Sequence, residues 1–179
     1  MQMRKIVYYV AVSIDGFIEG KNNSIDMFVH EKSIVDYYKK DLQNFDTVIM
    51  GRKTYEFGYR FGLQPGKAAY PHMQHYIFSE TLRFENSDVN INVVDRDLKL
   101  VKKLKEEATT DIYLCGGGTF AGWLLDNEMI DTLKIKLNPI LIGSGIRLFG
   151  TSTKSLFLSL RESIEFDNGF RILTYDVNY

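Results

Sequence analysis

The chain has 179 residues, of which 45% are hydrophobic, 13% aromatic and 25% charged. A net charge of −1 argues against a basic field for nucleic acid, no apolar run is long enough to span a membrane, and one cysteine, Cys115, with three scattered histidines gives neither an internal disulfide nor metal-ligand spacing. The length suits one domain over residues 1–179, with a core that needs no disulfide or metal; Met1 to Lys5 carries no signal-peptide pattern, so a cytoplasmic location is expected, with no nucleic-acid or membrane partner.

In chain order, Lys5 to Ile14 reads as a first, central strand rich in Ile, Val and Tyr. Ser13-Ile14-Asp15-Gly16 ends it in a turn, and Gly20 to Ser24 reads as a loop. A helix is predicted from Lys32 to Asn44, with Ile34, Val35, Tyr38 and Leu42 on one face. Asp46 to Gly51 is a short buried strand, and Arg52 to Phe57 opens a short helix. Phe61 to Met73 is a long loop flanked by His72 and His75, read as surface residues. His75 to Ser79 and Asn90 to Val94 are further strands. Asp97 to Ala108 is a helix capped by Asp95 or Asp97.

Ile112 to Leu125 is the centre of the chain: a buried strand, then Gly116, Gly117 and Gly118, then a helix whose Trp123 and Leu124 are core candidates. Bare backbone N–H groups at a helix start favour an anion, here the diphosphate of a nucleotide. A tight turn is the alternative use of the same glycines. Gly116-x-Gly118-x-x-Ala121 fits the dinucleotide fingerprint loosely, but its late position and the absence of a ribose-binding acid argue against a Rossmann domain. Beyond it, Met129 to Leu137 is a strand and Pro139 to Phe149 an apolar loop. Leu156, Leu158 and Leu160 alternate, Asp167-Asn168-Gly169 signals a hairpin turn, and Leu173 to Tyr179 is a last strand whose apolar edge is expected to pair two chains as a homodimer.

Gly51-Arg52-Lys53-Thr54 also joins a strand to a helix. Two cations there oppose the helix dipole by a few tenths to ~1 kcal/mol, which makes sense if a phosphate is bound; otherwise they are solvated surface cations. Asp46 stands where a Walker loop needs glycine, so this is not a Walker loop, which argues against a kinase-like phosphotransferase. Ser79 and Thr81 could offer hydroxyls to the same phosphate. In a mostly parallel sheet both glycine corners open at the carboxyl ends of strands, where ligands bind. They are expected to grip opposite halves of one coenzyme.

Ala11-Val12-Ser13-Ile14-Asp15-Gly16-Phe17-Ile18, Val48 to Glu56, Ser79-x-Thr81-Leu82, Gly116 to Gly118, Met129 to Leu133 and Pro139 to Phe149 together resemble the dihydrofolate reductase superfamily. The resemblance is closest to the bacterial branch that includes the reductase domain of riboflavin biosynthesis, and it covers nearly the whole chain in order. It implies a three-layer α/β fold: a mixed, mostly parallel sheet of about eight strands with flanking helices and an antiparallel C-terminal hairpin. It implies NADPH as cofactor and hydride transfer to a small heterocyclic substrate, as in 5-amino-6-(5-phosphoribosylamino)uracil reductase or a pterin or folate reductase. The alternative is a catalytically silent NADP(H)-binding protein of the same fold. By position, Gly51, Arg52, Lys53 and Thr54 would lie beside the adenosine phosphates and Ser79 and Thr81 by the 2′-phosphate. Gly116, Gly117, Gly118, Thr119 and Phe120 would hold the diphosphate, and Ala11 and Ile18 would flank the nicotinamide. Asp15 is the candidate acid or polar anchor, or else a turn residue. The chain departs from the family in three ways. Asp36 is out of step with the acid of the first helix, and Asp41 lies too close to the second strand. Cys115, read as a small buried filler, replaces a Glu before the glycines. The often-fused deaminase half has no counterpart.

Overall fold

The computed structural model describes residues 3–28 and 31–179. Its elements are β1 (Ile6–Ser13), β2 (Phe17–Gly20), α1 (Lys32–Asp41), β3 (Thr47–Gly51), α2 (Arg52–Phe57), β4 (Gln74–Phe78), β5 (Ile91–Val94), α3 (Leu98–Glu107), β6 (Ile112–Gly116), α4 (Gly118–Asp126), β7 (Thr132–Asn138), β8 (Gly145–Arg147), β9 (Phe157–Glu165) and β10 (Arg171–Asn178). Eight strands form one sheet in the order β5-β4-β3-β6-β1-β7-β10-β9. The strands from β5 to β7 are parallel, and β10 and β9 join antiparallel. This is the mixed, mostly parallel sheet with an antiparallel C-terminal hairpin that the sequence implies.

The two-residue pleat assigns the core. Val7, Tyr9, Val48, Met50 and Tyr113 meet α1 through Ile34 and α2 through Tyr55. Their neighbours Ile6, Tyr8, Ile49, Ile112 and Leu114 meet α3 through Val101 and Leu104 and α4 through Phe120 and Leu124. Burying such side chains contributes roughly 1.5–3 kcal/mol each. Glu31 caps α1 by accepting from the Ile34 N–H at 3.1 Å, and Asp97 caps α3 by accepting from Lys99 N–H at 2.8 Å. No helix among the described residues is long and apolar enough to cross a membrane.

The sequence reading needs three corrections here. Gly145–Arg147, inside the expected loop, and Phe17–Gly20, which lies between the expected turn and loop with no strand predicted, pair antiparallel as a two-stranded ribbon. The strand from Leu173 onward is not an edge, because β10 is paired on both sides and β9 is the outer strand. His75 is fully buried rather than a surface residue. The Tyr70 N–H donates to its Nε2 at 3.1 Å, so Nδ1 carries the proton and donates to the Met73 carbonyl at 3.0 Å. His72 is exposed, as expected.

Candidate functional site

The two glycine corners touch. β3 and β6 are adjacent, and a register shift sets Met50 opposite Gly116. A Cβ on Gly51 would lie 4.0 Å from the Gly116 carbonyl oxygen, and one on Gly117 would lie 3.1 Å from Thr54 Oγ1. The corners are therefore not two separated grips but one seam at the carboxyl ends of neighbouring strands. Gly116 has φ +122°, which only glycine adopts readily, and its peptide bond to Gly117 is cis. Gly117 and Gly51 precede α4 and α2 in extended conformation, and neither helix has a side-chain cap. Uncapped first-turn N–H groups are where an anion gains most.

Gly118 and Phe120 also serve packing. A Cβ on Gly118 would meet the Arg147 carbonyl oxygen at 2.4 Å, so that bare backbone accommodates the β8 segment. The Phe120 ring is 2% exposed and packs on Phe78 and Trp123 with centroids 4.7 and 5.7 Å away. Its backbone amide alone remains for a ligand. Thr119 is exposed at the first turn of α4.

Arg52, Ser79 and Thr81 come together on the rim of the seam. Arg52 Nη1 donates to Thr81 Oγ1 at 2.8 Å, and its Nε lies 3.6 Å from Glu56. Ser79 Oγ accepts from the Thr81 and Leu82 N–H groups at 3.2 and 3.0 Å, which leaves its proton free to donate. Lys53 is exposed and Thr54 half-buried.

The β2–β8 ribbon lies over the same end of the sheet. Tyr8 donates through its hydroxyl to the Leu148 carbonyl at 2.9 Å, and the Leu148 N–H donates to Gly16 at 3.0 Å. Half-buried Ile18 is carried there on β2, and half-buried Ala11 lies near the end of β1. Asp15 ties the turn to the β7–β8 connection. It accepts from Ser13 Oγ at 2.6 Å, Gly143 N–H at 2.7 Å and Ile142 N–H at 3.1 Å. The Ser13 hydroxyl, then the Gly143 amide, hold its carboxyl below the ordinary carboxylate range. Such a group stays ionised at neutral pH, which suits a polar anchor and opposes a proton donor.

Comparison with known proteins decides the family. The RibD C-terminal domain family matches residues 4–172. The chain belongs to the RibD C-terminal domain family. It is 27% identical over 190 residues to the uncharacterized protein YyaP of Bacillus subtilis (strain 168), covering 99% of this chain and 97% of that protein. Among solved structures it is similar to a riboflavin-biosynthesis candidate protein of Shewanella sp. PV-4, with a TM-score of 0.80, 22% identity and coverage of 98% and 99% of the two chains. It is also similar to a dihydrofolate reductase of Enterococcus faecalis solved with NADP(H), with a TM-score of 0.71, 14% identity and coverage of 98% and 97%. The fold is thus dihydrofolate reductase-like, and the family is one of reductase-type domains.

Within this RibD C-terminal domain the face beneath α1 is aromatic. Tyr38 and Tyr113 share a hydroxyl–hydroxyl bond of 2.6 Å, and Tyr70 Oη lies 3.7 Å from Cys115 Sγ. Burial pushes the Cys115 thiol up, so it is a neutral group rather than a nucleophile. Asp36 is exposed and paired with Lys32 at 2.6 Å, while Asp41 pairs with Lys134. Both acids of α1 are therefore taken up by lysines. Sequence reasoning missed this tyrosine cluster and the ribbon; the period-2 spacing of Tyr113 and Cys115 was the one available signal, since it sets both on one face. A cleft of about 560 Å³ lies elsewhere, at the amino ends of β4 and β5, lined by Pro71 to Gln74 and Ser87 to Asn90.

Proposed function

We propose that this RibD C-terminal domain is an NADPH-dependent reductase that transfers a hydride to a small electron-poor heterocycle. Its substrate would be of the kind reduced by 5-amino-6-(5-phosphoribosylamino)uracil reductases or by pterin and folate reductases. The observation that carries this reading is the joined seam of Gly51 and Gly117, two bare backbones side by side below uncapped helix starts. The fit to a dinucleotide is good, because one diphosphate can reach both corners at once. The Enterococcus faecalis neighbour of the same fold carries NADP(H), which supports the assignment.

In this reading Gly116, Gly117, Thr119 and the Phe120 amide hold the diphosphate, with Gly118 allowing the ribbon to close on them. Gly51, Lys53 and Thr54 lie beside the adenosine phosphates, and Arg52 with Ser79 and Thr81 takes the 2′-phosphate. Ala11 and Ile18 flank the nicotinamide, and Asp15 fixes the turn between them. The bound coenzyme supplies the hydride from nicotinamide C4; the chain orients the two rings and excludes water. The same reading includes a homodimer, formed through the exposed outer strand β9.

NADPH titration tests the proposal, with Trp123 fluorescence as a local reporter because its indole stacks on Phe120. At about 100 times Kd, binding contributes about 2.7 kcal/mol, which raises the melting temperature by roughly 5–10 °C for a chain of this size. Arg52→Ala should weaken NADPH roughly tenfold or more, the loss of one charge-assisted contact, and leave NADH binding unchanged. No shift with either nucleotide overturns the reading. A second reading, a silent NADP(H)-binding protein, is favoured by the pairing of both α1 acids, Asp36 and Asp41, with lysines; it predicts binding without NADPH oxidation on aminouracil, pterin and quinone-type substrates, and turnover on any of them removes it.

A further inference from the structure

One cation on the sheet face beneath α1 has no partner of opposite sign among the described residues. Lys134 and Lys136 both rise from β7 on that face. Lys134 is neutralised by Asp41 and lies 4.9 Å from the Tyr9 ring centroid. Lys136 stands two residues nearer the carboxyl end of the sheet, opposite Ala11. It is half-buried, and its Nζ is 5.9 Å from the centroid of the Tyr38 ring. No carboxylate among the described residues pairs with it: Asp36 turns to Lys32, Asp41 to Lys134, and Asp15 to the Ile142 and Gly143 amides. The Tyr38 hydroxyl bonds to Tyr113, and what Tyr38 presents to Lys136 is its ring. Burial accordingly lowers the Lys136 pKa with nothing to offset it. Asn138 holds the strand beneath Lys136 in place, its Nδ2 donating to the Lys136 carbonyl at 2.9 Å. A cation withdrawn from water without a counter-ion is costly in the free protein. A ligand oxygen bearing negative charge removes that cost on binding, so the position selects for an anion.

We propose that Lys136 determines substrate specificity: the ring that is reduced carries an anionic oxygen, an ionised imide, enolate or carboxylate, which Lys136 binds beside Ala11. This rests on the reductase reading, which sets the substrate ring at that end of β1. The test uses the full chain, with and without saturating NADP+, and matched probes: orotate against uracil, and pterin-6-carboxylate against pterin. Wild type should bind at least one anionic probe roughly 10- to 100-fold more tightly than its neutral partner, the range of a charge-assisted hydrogen bond. Lys136→Met should abolish that preference, Lys136→Arg should retain most of it, and NADPH affinity should be unchanged in both. A merely structural lysine would alter melting temperature and leave the preference intact. The proposal is overturned by a preference that survives in Lys136→Met, by wild type binding no anionic probe more tightly than its neutral partner, or by inorganic phosphate displacing the anionic probes, which would assign the lysine to a phosphoryl group. Failure of NADPH to bind wild type is read separately and strikes the reductase reading itself.

Discussion

A methyl group added at Gly118 would approach the Arg147 carbonyl oxygen to 2.4 Å and the Gly150 nitrogen to 3.0 Å. Both are backbone atoms, so neither can rotate away. Gly118→Ala should therefore destabilise the fold by about 1–3 kcal/mol or more, the scale of overpacking, seen as a lower urea midpoint. Gly117→Ala makes a useful contrast. Its φ of −90° suits alanine, and the added carbon meets only the Thr54 hydroxyl at 3.1 Å. That variant should stay close to wild type in stability yet bind NADPH at least tenfold more weakly. Equal affinity would show that no ligand approaches this backbone. Asp15 gives a pH-dependent prediction. Its folded pKa is lowered, first by the Ser13 hydroxyl, so its contribution is complete above the unfolded value of about 3.9 and is lost as pH falls through the folded value. Asp15→Asn should be less stable than wild type at pH 7, and the gap should close below about pH 4. A gap that stays constant in urea melts at pH 7 and pH 3 would refute the anchoring role.

At the scale of elements, β4 carries a device of opposite chemistry. His75 is buried and neutral, receiving the Tyr70 N–H on Nε2 and giving its Nδ1 proton to Met73. A second proton on Nε2 would face that N–H. Burial, the largest cause, depresses the His75 pKa. Stability from this residue is therefore complete above the unfolded value of about 6.5 and erodes as pH drops through it toward the folded value. The urea midpoint should fall between pH 7 and pH 5, and less steeply in His75→Gln; parallel slopes would exclude His75 as the cause. Periodicity made α1 and α3 legible, since Ile34, Val101 and Leu104 are each buried on a helical stripe. It left β2 and β8 unread: they are four and three residues long, and each is a strand only because it meets the other. β9 shows the converse. Its leucines alternate in the sequence, yet Leu158 and Leu160 are 40% and 58% exposed, because no helix among the described residues covers them.

For the whole molecule, the sheet order brings residues distant in sequence to one end. β6 inserts between β1 and β3, which sets Gly116 beside Met50 and closes the seam. The outer strand β9 leaves Phe157 86% exposed, and an unprotected apolar edge invites pairing with another chain. Light scattering should give a dimer for the native protein and a monomer for Leu158→Lys with Leu160→Lys; a monomeric native protein removes the homodimer from the proposal. The sequence by itself determined the strands and helices with strong local period, the glycine corners, and, through the order of its motifs, the family and its fold, because these depend on neighbours a few residues apart. Only the tertiary structure decided that the two corners are one seam, that Gly118 serves packing, that His75 is buried and that Lys136 has no counter-ion among the described residues. Each of those depends on contacts across strands far apart in the chain, and no local pattern encodes which strand will be the neighbour.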